Sequence, residues 1–476
     1  MKKLILVLLI LSGKMNLHAQ GQYNNWHFGI NTAISFSYGY PFAINGSQII
    51  SGSTSASISD TLGNLLFYTN GDTIWANDNS IMPNGTGLLG DRNAQQAVLI
   101  VPEPDTSDIF YVFTIGNATN GNAKVLRYSI VDMNLNGSLG DVSTKNVTLD
   151  SNVTEKLTAT KNYNGIDFWV VERNLSSGFF KSYSITQNGL NTEPVISKAG
   201  AQIQDGDYSG AIKISNNGCW MISTTRGIFG DAAEVELLPF DNSSGIVSQG
   251  ASTISINHPY GLEFSPDSKK FYIGEDDYAP VHQFNLNNNT NAADIIASQI
   301  PVSDYYPATY AFQLAPDGKI YFVTQDTSSL GRILHPNNYS LYCDVDTAVV
   351  TGLNFSTYSL PNNFNLTYTG DLTCYEAIQG CVLPLDIYMA TAFTPNGDGL
   401  NDCYGISQKI KDSLPFIDLA IFDRWGNKVF YSTVESNCWD GTYKGHPADI
   451  GNYVYYLRER TDCGYGLKTG YVVLIR

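Results

Sequence analysis

A unit recurs along the first 370 residues of this chain: a tight polar turn followed at once by a short aromatic strand. It is clearest in Leu62-Gly63-Asn64-Leu65-Leu66-Phe67-Tyr68, Ser215-Asn216-Asn217-Gly218-Cys219-Trp220, Ser265-Pro266-Asp267-Ser268-Lys269-Lys270-Phe271-Tyr272 and Ala315-Pro316-Asp317-Gly318-Lys319-Ile320-Tyr321-Phe322. Looser copies begin at Pro104 and Tyr163. Pro-Asp-Gly and Asn-Gly supply the restricted and positive φ of tight turns, and aromatic residues fit a pleated, buried surface. Aligning Phe67, Phe110, Phe168, Trp220, Phe271 and Tyr321 gives a period of about 40 to 60 residues, the length of one four-stranded propeller blade. Helical repeats of that period need apolar residues at helical spacing, whereas Gly, Asn and Asp interrupt this pattern roughly every ten residues. The chain is expected to be all-β.

Trp26-His27-Phe28-Gly29 adds a seventh, displaced unit. The expectation is a seven-bladed β-propeller over residues 20–370, with six or eight blades as the alternatives. Its N-terminal strand would complete the last blade near Phe364 to Tyr368, so that closure leaves no exposed edge. Strict alternation in Tyr260-Gly261-Leu262-Glu263-Phe264 and Tyr310-Ala311-Phe312-Gln313-Leu314 places Leu262, Phe264, Phe312 and Leu314 between blades. Glu263, Gln313 and, in the equivalent strand, Lys213 then face the central channel, either as ligand-binding residues or as mutually paired channel lining.

At the N-terminus, Lys2 and Lys3 precede the apolar run Leu4 to Leu11, and Leu17-His18-Ala19 offers a small residue for cleavage. Residues 1–19 therefore read as a signal peptide. No later stretch approaches the roughly 20 apolar residues of a membrane span, and no Cys follows the apolar run to take a lipid, so a soluble exported protein is expected. Charged residues are 15 % and aromatics 12 %, with 43 Gly, a balance that suits short strands and many turns. The net charge of −17, with only 27 Lys and Arg, argues against nucleic acid as a partner. Export permits disulfides among the seven Cys. Cys219, on an apolar strand, reads as a free buried thiol. Cys374 and Cys381 enclose a short loop in a linker over 371–385 and read as a pair, although spacing does not fix connectivity.

Sequence signatures of catalysis are missing: there is no Walker loop, His-Glu-x-x-His, Gly-x-Ser-x-Gly or Cys-x-x-Cys, and the six His are scattered. Acidic, aromatic loops at Glu275-Asp276-Asp277-Tyr278, Asp205-Gly206-Asp207-Tyr208 and Asp304-Tyr305-Tyr306 would suit sugars or cations, or simply keep the surface soluble. Thr394-Pro395-Asn396-Gly397-Asp398-Gly399-Leu400-Asn401-Asp402 alternates oxygen donors and glycine as Ca²⁺ loops do, with Thr394, Asn396, Asp398 and Asp402 as the candidate metal residues. A calcium loop opens with Asp rather than Thr, and an Asx-stabilised turn is the other reading.

Residues 386–476 read as a small antiparallel sandwich, with strands at Ala392-Phe393, Ile417 to Phe422, Lys428 to Tyr431, Tyr453 to Arg458 and Tyr471 to Ile475 separated by turns. Phe393 to Asp402, Ile421-Phe422-Asp423-Arg424-Trp425-Gly426, Trp439-Asp440-Gly441-Thr442-Tyr443-Lys444-Gly445 and Gly451-Asn452-Tyr453-Val454-Tyr455-Tyr456 follow in order. These four motifs closely resemble the gliding motility-associated C-terminal domain, the type B sorting signal of type IX secretion. The resemblance implies an immunoglobulin-like sandwich, a Cys403–Cys438 pair, passage through the periplasm and export by an outer-membrane translocon. Recognition is expected at turns around Arg424, Gly426, Trp439 and Gly441. The preceding region is similar to propeller-like ectodomains attached to this signal. The leading expectation is a secreted or cell-surface protein that binds a carbohydrate, an envelope component or another protein. The alternative is a propeller-fold hydrolase or lyase acting on extracellular polysaccharide, and a structural part of a gliding or adhesion apparatus is the third reading.

Overall fold

The computed structural model describes residues 21–117, 124–201, 210–225, 233–248, 252–256, 258–275, 279–286, 292–302, 308–324, 328–353, 359–364, 366, 389–405, 417–433, 438–461 and 464–476. The signal segment, the loops around Asp207, Asp276 and Tyr305, and Cys374, Cys381 and Cys463 lie outside them. The chain divides into two compact units, residues 1–287 with 292–372, and residues 288–291 with 373–476. Among the described residues no helix is long and apolar enough to cross a membrane.

The first unit is all-β apart from short helical turns, and its described strands form seven small antiparallel sheets of three to five strands. Sheet 1 holds Asn25–Phe28, Thr32–Ser35 and Phe42–Ile44, and sheet 2 runs from Ala56 to Thr86. Sheet 3 spans Val98 to Ser151, sheet 4 Val153 to Ser197 and sheet 5 Ile212 to Ile256. Sheet 6 spans Pro259 to Pro301 and sheet 7 Thr309 to Val349. The sequence repeat is this sheet. Phe67, Phe110, Phe168, Trp220, Phe271 and Tyr321 each lie on the second strand of sheets 2 to 7, directly after the polar turn, and all are buried.

Each sheet buries its faces against the next. Phe67 of sheet 2 meets Phe110 of sheet 3 edge to face at 5.4 Å, and one apolar cluster runs on from these to Val170, Tyr183 and Ile185 of sheet 4. Val171 and Phe180 of sheet 4 join Ile212, Met221 and Leu238 of sheet 5. Sheets 6 and 7 approach closely enough to require glycine: a Cβ on Gly261 would lie 2.1 Å from the Phe312 ring, and one on Gly274 2.3 Å from it. Leu262, Phe264 and Phe312 are buried and Leu314 is half-buried. Sheet 1 packs on sheet 7, with the fully buried Trp26 edge to face against Tyr321 at 6.0 Å and against Phe36 at 4.9 Å.

Cysteine chemistry departs from expectation at one position. Cys219 is buried as expected but is disulfide-bonded and not a free thiol; burial on a strand is compatible with either state, and spacing carries no information about a distant partner. Among the described residues the free thiol is Cys343, buried and within 3.1 Å of Gln283 Nε2.

The second unit contains a five-stranded sheet ordered Ala392–Phe393, Gly464–Leu474, Gly451–Thr461, Ile417–Phe422, Lys428–Ser432, beside a two-stranded ribbon at Thr442–Tyr443 and His446–Pro447. The first pairing is parallel and the others antiparallel. All five expected strands are present, the two longest extended at both ends or at the start. In place of two full sheets, the described residues show one sheet covered by loops. Phe393, Tyr404, Trp439, Tyr453 and Tyr455 form its core, and a Cys403–Cys438 disulfide joins the loops above it.

Truncating Trp26 to Ala removes the side chain that seals sheet 1 against sheet 7 and is expected to cost about 3 to 5 kcal/mol. A melting midpoint unchanged in Trp26→Ala, or in a chain lacking residues 22–30, would show that this contact does not hold the first unit together.

Candidate functional sites

Lys213, Glu263 and Gln313 lie on the first strands of sheets 5, 6 and 7 and converge. Lys213 Nζ is 3.1 Å from Glu263 Oε2 and donates to Gln313 Oε1 at 2.8 Å. Glu263 also accepts the backbone N–H groups of Phe264 and Leu314, both at 3.0 Å. All three residues are less than 10 % exposed. Their donors and acceptors are spent on one another and on the backbone.

Residues 359–364 pass beside this triad. The Asn363 carbonyl accepts from Gln313 Nε2 at 3.2 Å. The backbone N–H of Asn362 donates to the Ser55 carbonyl at 2.8 Å. Asn362 Nδ2 donates to the carbonyls of Val98 at 3.0 Å and Leu157 at 2.9 Å, on the first strands of sheets 3 and 4. Its Oδ1 accepts from Gln96, whose side chain also exchanges two 2.7 Å hydrogen bonds with the backbone of Ile212 in sheet 5. What remains open is a cavity of about 50 Å³ lined by Gln96, Lys213, Tyr260, Gln313 and Asn362 among others, room for water rather than for a sugar ring. Asn362 and Gln96 escaped the sequence reading because each is a single polar residue outside any periodic pattern.

The most perturbed carboxyl belongs to Glu172, fully buried in sheet 4 opposite Lys181. Burial, reinforced by the neighbouring Asp150 carboxylate, holds it well above the usual carboxylate range, while Lys181 acts in the opposite sense. Lys181 itself is paired with Asp150.

In the candidate calcium loop, Asp402 accepts from the backbone N–H groups of Asn396, Gly397 and Gly399 at 2.9, 2.7 and 2.7 Å. Asp398 accepts from the Leu400 N–H at 2.8 Å and from Asn396 Nδ2 at 2.9 Å, and the Thr394 N–H donates to the Asn401 carbonyl at 2.9 Å. These amides hold the Asp402 carboxyl below its usual pKa. Among the described residues no three His, Cys, Asp or Glu side chains gather as a metal would require. Asp398 and Asp402 thus staple the segment as an Asx-type turn, and the carboxylates keep lone pairs that a cation could take.

The four expected recognition residues separate into two pairs. Trp439 is 1 % exposed, donates from Nε1 to the Thr442 carbonyl at 2.7 Å and packs on Tyr453 at 4.7 Å. Gly441, at φ 75°, is buried, and a Cβ there would meet Pro395 at 2.9 Å. Both are core positions. Arg424 and Gly426 are exposed on the turn after Phe422, and between them Trp425 is 79 % exposed. This turn borders a groove of about 370 Å³ whose opposite wall is residues 443–453.

Three outcomes test these assignments. Lys213→Ala strands the buried Glu263 charge and should cost about 3 to 5 kcal/mol, most of it recovered when Glu263 is also replaced by Met; an additive double mutant would separate the two residues. Because its folded pKa is raised, Glu172 contributes stability that is fully present below its unfolded pKa and is lost as pH rises through the folded value. Glu172→Gln should therefore melt higher than the parent at pH 8, the gap closing towards pH 4, and a pH-independent gap would contradict this environment. Asp402→Ala should lower the melting midpoint of the full chain's second unit, and melting in excess Ca²⁺ against EDTA decides the metal reading: a higher midpoint with Ca²⁺ supports it, and equal midpoints leave a structural turn.

Comparison with known proteins places the second unit. Residues 387–474 match the CHU_C type IX secretion signal domain. No curated protein matches the chain by sequence. Among solved structures, a functionally unknown protein from Desulfotomaculum acetoxidans aligns at 12 % identity and TM-score 0.39, covering 72 % of this chain and 99 % of its own. A putative 6-phosphogluconolactonase from Bacteroides uniformis aligns at 12 % identity and TM-score 0.32, over 77 % and 97 %. PorZ, a surface component of the type IX secretion system of Porphyromonas gingivalis, aligns at 12 % identity and TM-score 0.30, over 94 % and 68 %. Structural likeness this distant carries no functional argument, whereas the C-terminal match is specific: the chain bears a type IX secretion signal domain at residues 387–474, which directs it to the cell surface or beyond.

Proposed function

We propose that this is a type IX cargo protein whose first unit is a surface-displayed binding module, a seven-bladed propeller presenting its rim loops to a glycan, an envelope component or a protein. The ring is supported by the sequence of contacts: each sheet packs on the next, and Trp26 of sheet 1 meets Tyr321 of sheet 7. Residues 359–364 pass along the inner strands, with Leu360 in the Trp26 cluster and Phe364 against Tyr23 at 6.1 Å and Phe168 at 5.9 Å. The observation that favours binding over catalysis is the state of the channel. Its centre is filled by Asn362 and Asn363, and its one carboxylate in the triad, Glu263, is neutralised by Lys213. A hydrolase or lyase needs acids converging on an accessible pocket, and here convergence serves the packing of the chain on itself.

Removing residues 386–476 should leave a folded first unit trapped in the periplasm, and grafting them onto a foreign exported protein should carry that protein to the surface or medium. Normal external amounts of the truncated protein, without lysis, would sink the export reading. Binding is tested with the purified first unit on a glycan array and on isolated cell envelope; hydrolysis or elimination of an extracellular polysaccharide by the same preparation would favour an enzyme.

A further inference from the structure

We propose that the groove between the Arg424-Trp425-Gly426 turn and residues 443–453 is where the outer-membrane translocon grips this domain, its occupant an extended translocon segment bearing one apolar anchor and one carboxylate. The proposal rests on the export reading above. Within one small domain the two tryptophans have opposite fates: Trp439 is 1 % exposed and holds the core, while Trp425 is 79 % exposed. Ile450, which also lines the groove, is 64 % exposed. Large apolar side chains held out on turns cost solubility and add nothing to the core, the pattern of a contact surface whose anchors await a partner. Tyr443, Pro447 and Tyr453 give the groove an apolar floor, and its volume of about 370 Å³ suits one or two side chains of a partner.

Polar groups define the rest of the occupant. Arg424 lies over the Trp425 ring at 5.4 Å and Lys444 over the Tyr443 ring at 5.0 Å. Among the described residues neither has a carboxylate partner. The adjacent Asp423 accepts from the N–H groups of Trp425 and Asn427 and from Asn427 Nδ2 at 2.8 to 2.9 Å, so its oxygens are engaged by its own turn and its charge acts on Arg424 through space without an ion pair. Asp449 is the other acid in the lining. A guanidinium and an ammonium left on ring faces are donors for an incoming carboxylate. Val429, also in the lining, belongs to strand Lys428–Ser432, which among the described residues pairs on one side only, with Ile417–Phe422. Its free edge offers backbone groups to an extended segment, the strand-addition mode of peptide capture.

The test uses the full chain in a bacterium that has type IX secretion, following the fraction at the surface and in the medium against the fraction in the periplasm. Trp425→Ala and Arg424→Glu should each lower export at least about tenfold, and Leu400→Ala, 70 % exposed outside the groove, should export as the parent does. Melting midpoints of the purified variants should match the parent; if Trp425→Ala melts lower, Ile450→Ala is read in its place. Parental export of both Trp425→Ala and Arg424→Glu, with the 386–476 deletion trapped, would overturn the groove and leave the export reading intact. Parental export of the deletion itself would remove both.

Discussion

The side chain of Asn362 is the point on which the first unit converges. One amide, buried among inner strands, donates to carbonyls of sheets 3 and 4, accepts from the Gln96 side chain, and through Gln96 reaches the backbone of sheet 5. Edge carbonyls at the axis of such an assembly have no neighbouring strand to satisfy them, and each left bare would cost about 1 to 3 kcal/mol. A primary amide, with two donors and an acceptor in a plane, meets several at once. The Lys213, Glu263 and Gln313 triad extends the same network to sheets 6 and 7. Polar pairing among the inner strands and apolar packing between sheet faces are thus complementary: burying the faces leaves inner-strand carbonyls to satisfy, and Asn362 satisfies those of Val98 and Leu157.

The sheets were legible because their signal is local. A turn that demands Gly, Asn or Asp, followed by an aromatic strand, identifies the link between the first two strands of each of sheets 2 to 7 and the buried residue at the second strand, from Phe67 to Tyr321. Alternation also placed Lys213, Glu263 and Gln313 on one side of their strands. What alternation does not encode is occupancy. Whether a polar inner residue faces solvent, a ligand or another segment of its own chain depends on a stretch 50 residues or more away, and residues 359–364 have no periodicity to announce them. Cys219 shows the same boundary, since its burial followed from its strand while its disulfide did not.

In the second unit the motifs read the fold well and the roles less well. Phe393, Trp439 and Tyr453, all within the four motifs, form the core, although Trp439 was expected at a recognition turn, and the Cys403–Cys438 bond implied by the resemblance is present. The two Trp-Gly and Trp-Asp-Gly turns look alike in sequence yet do opposite things. Trp439 points inward because its strand bridge to Tyr404 sets it beneath the loops, while Trp425 occupies the tip of a turn stapled by Asp423, where no layer covers it. Turn chemistry gives backbone shape, and only the layer above decides which side chain is core. The Asn396 to Asp402 segment is a similar case: the donor spacing of a metal loop is also the spacing of an Asx turn, and here the carboxylates accept amides of their own loop.

The network among the inner strands is also long-range in sequence. Gln96 and Asn362 bond across a sequence separation of 266 residues, so sheets 3 and 4 lack their axial partner until nearly the entire unit has been synthesised. Such long-range contacts delay folding, because loop-closure entropy must be overcome before they form. Residues 359–364 are among the last of the first unit to be made, so the hydrogen bonds that tie its inner strands together are among the last that its chain can form.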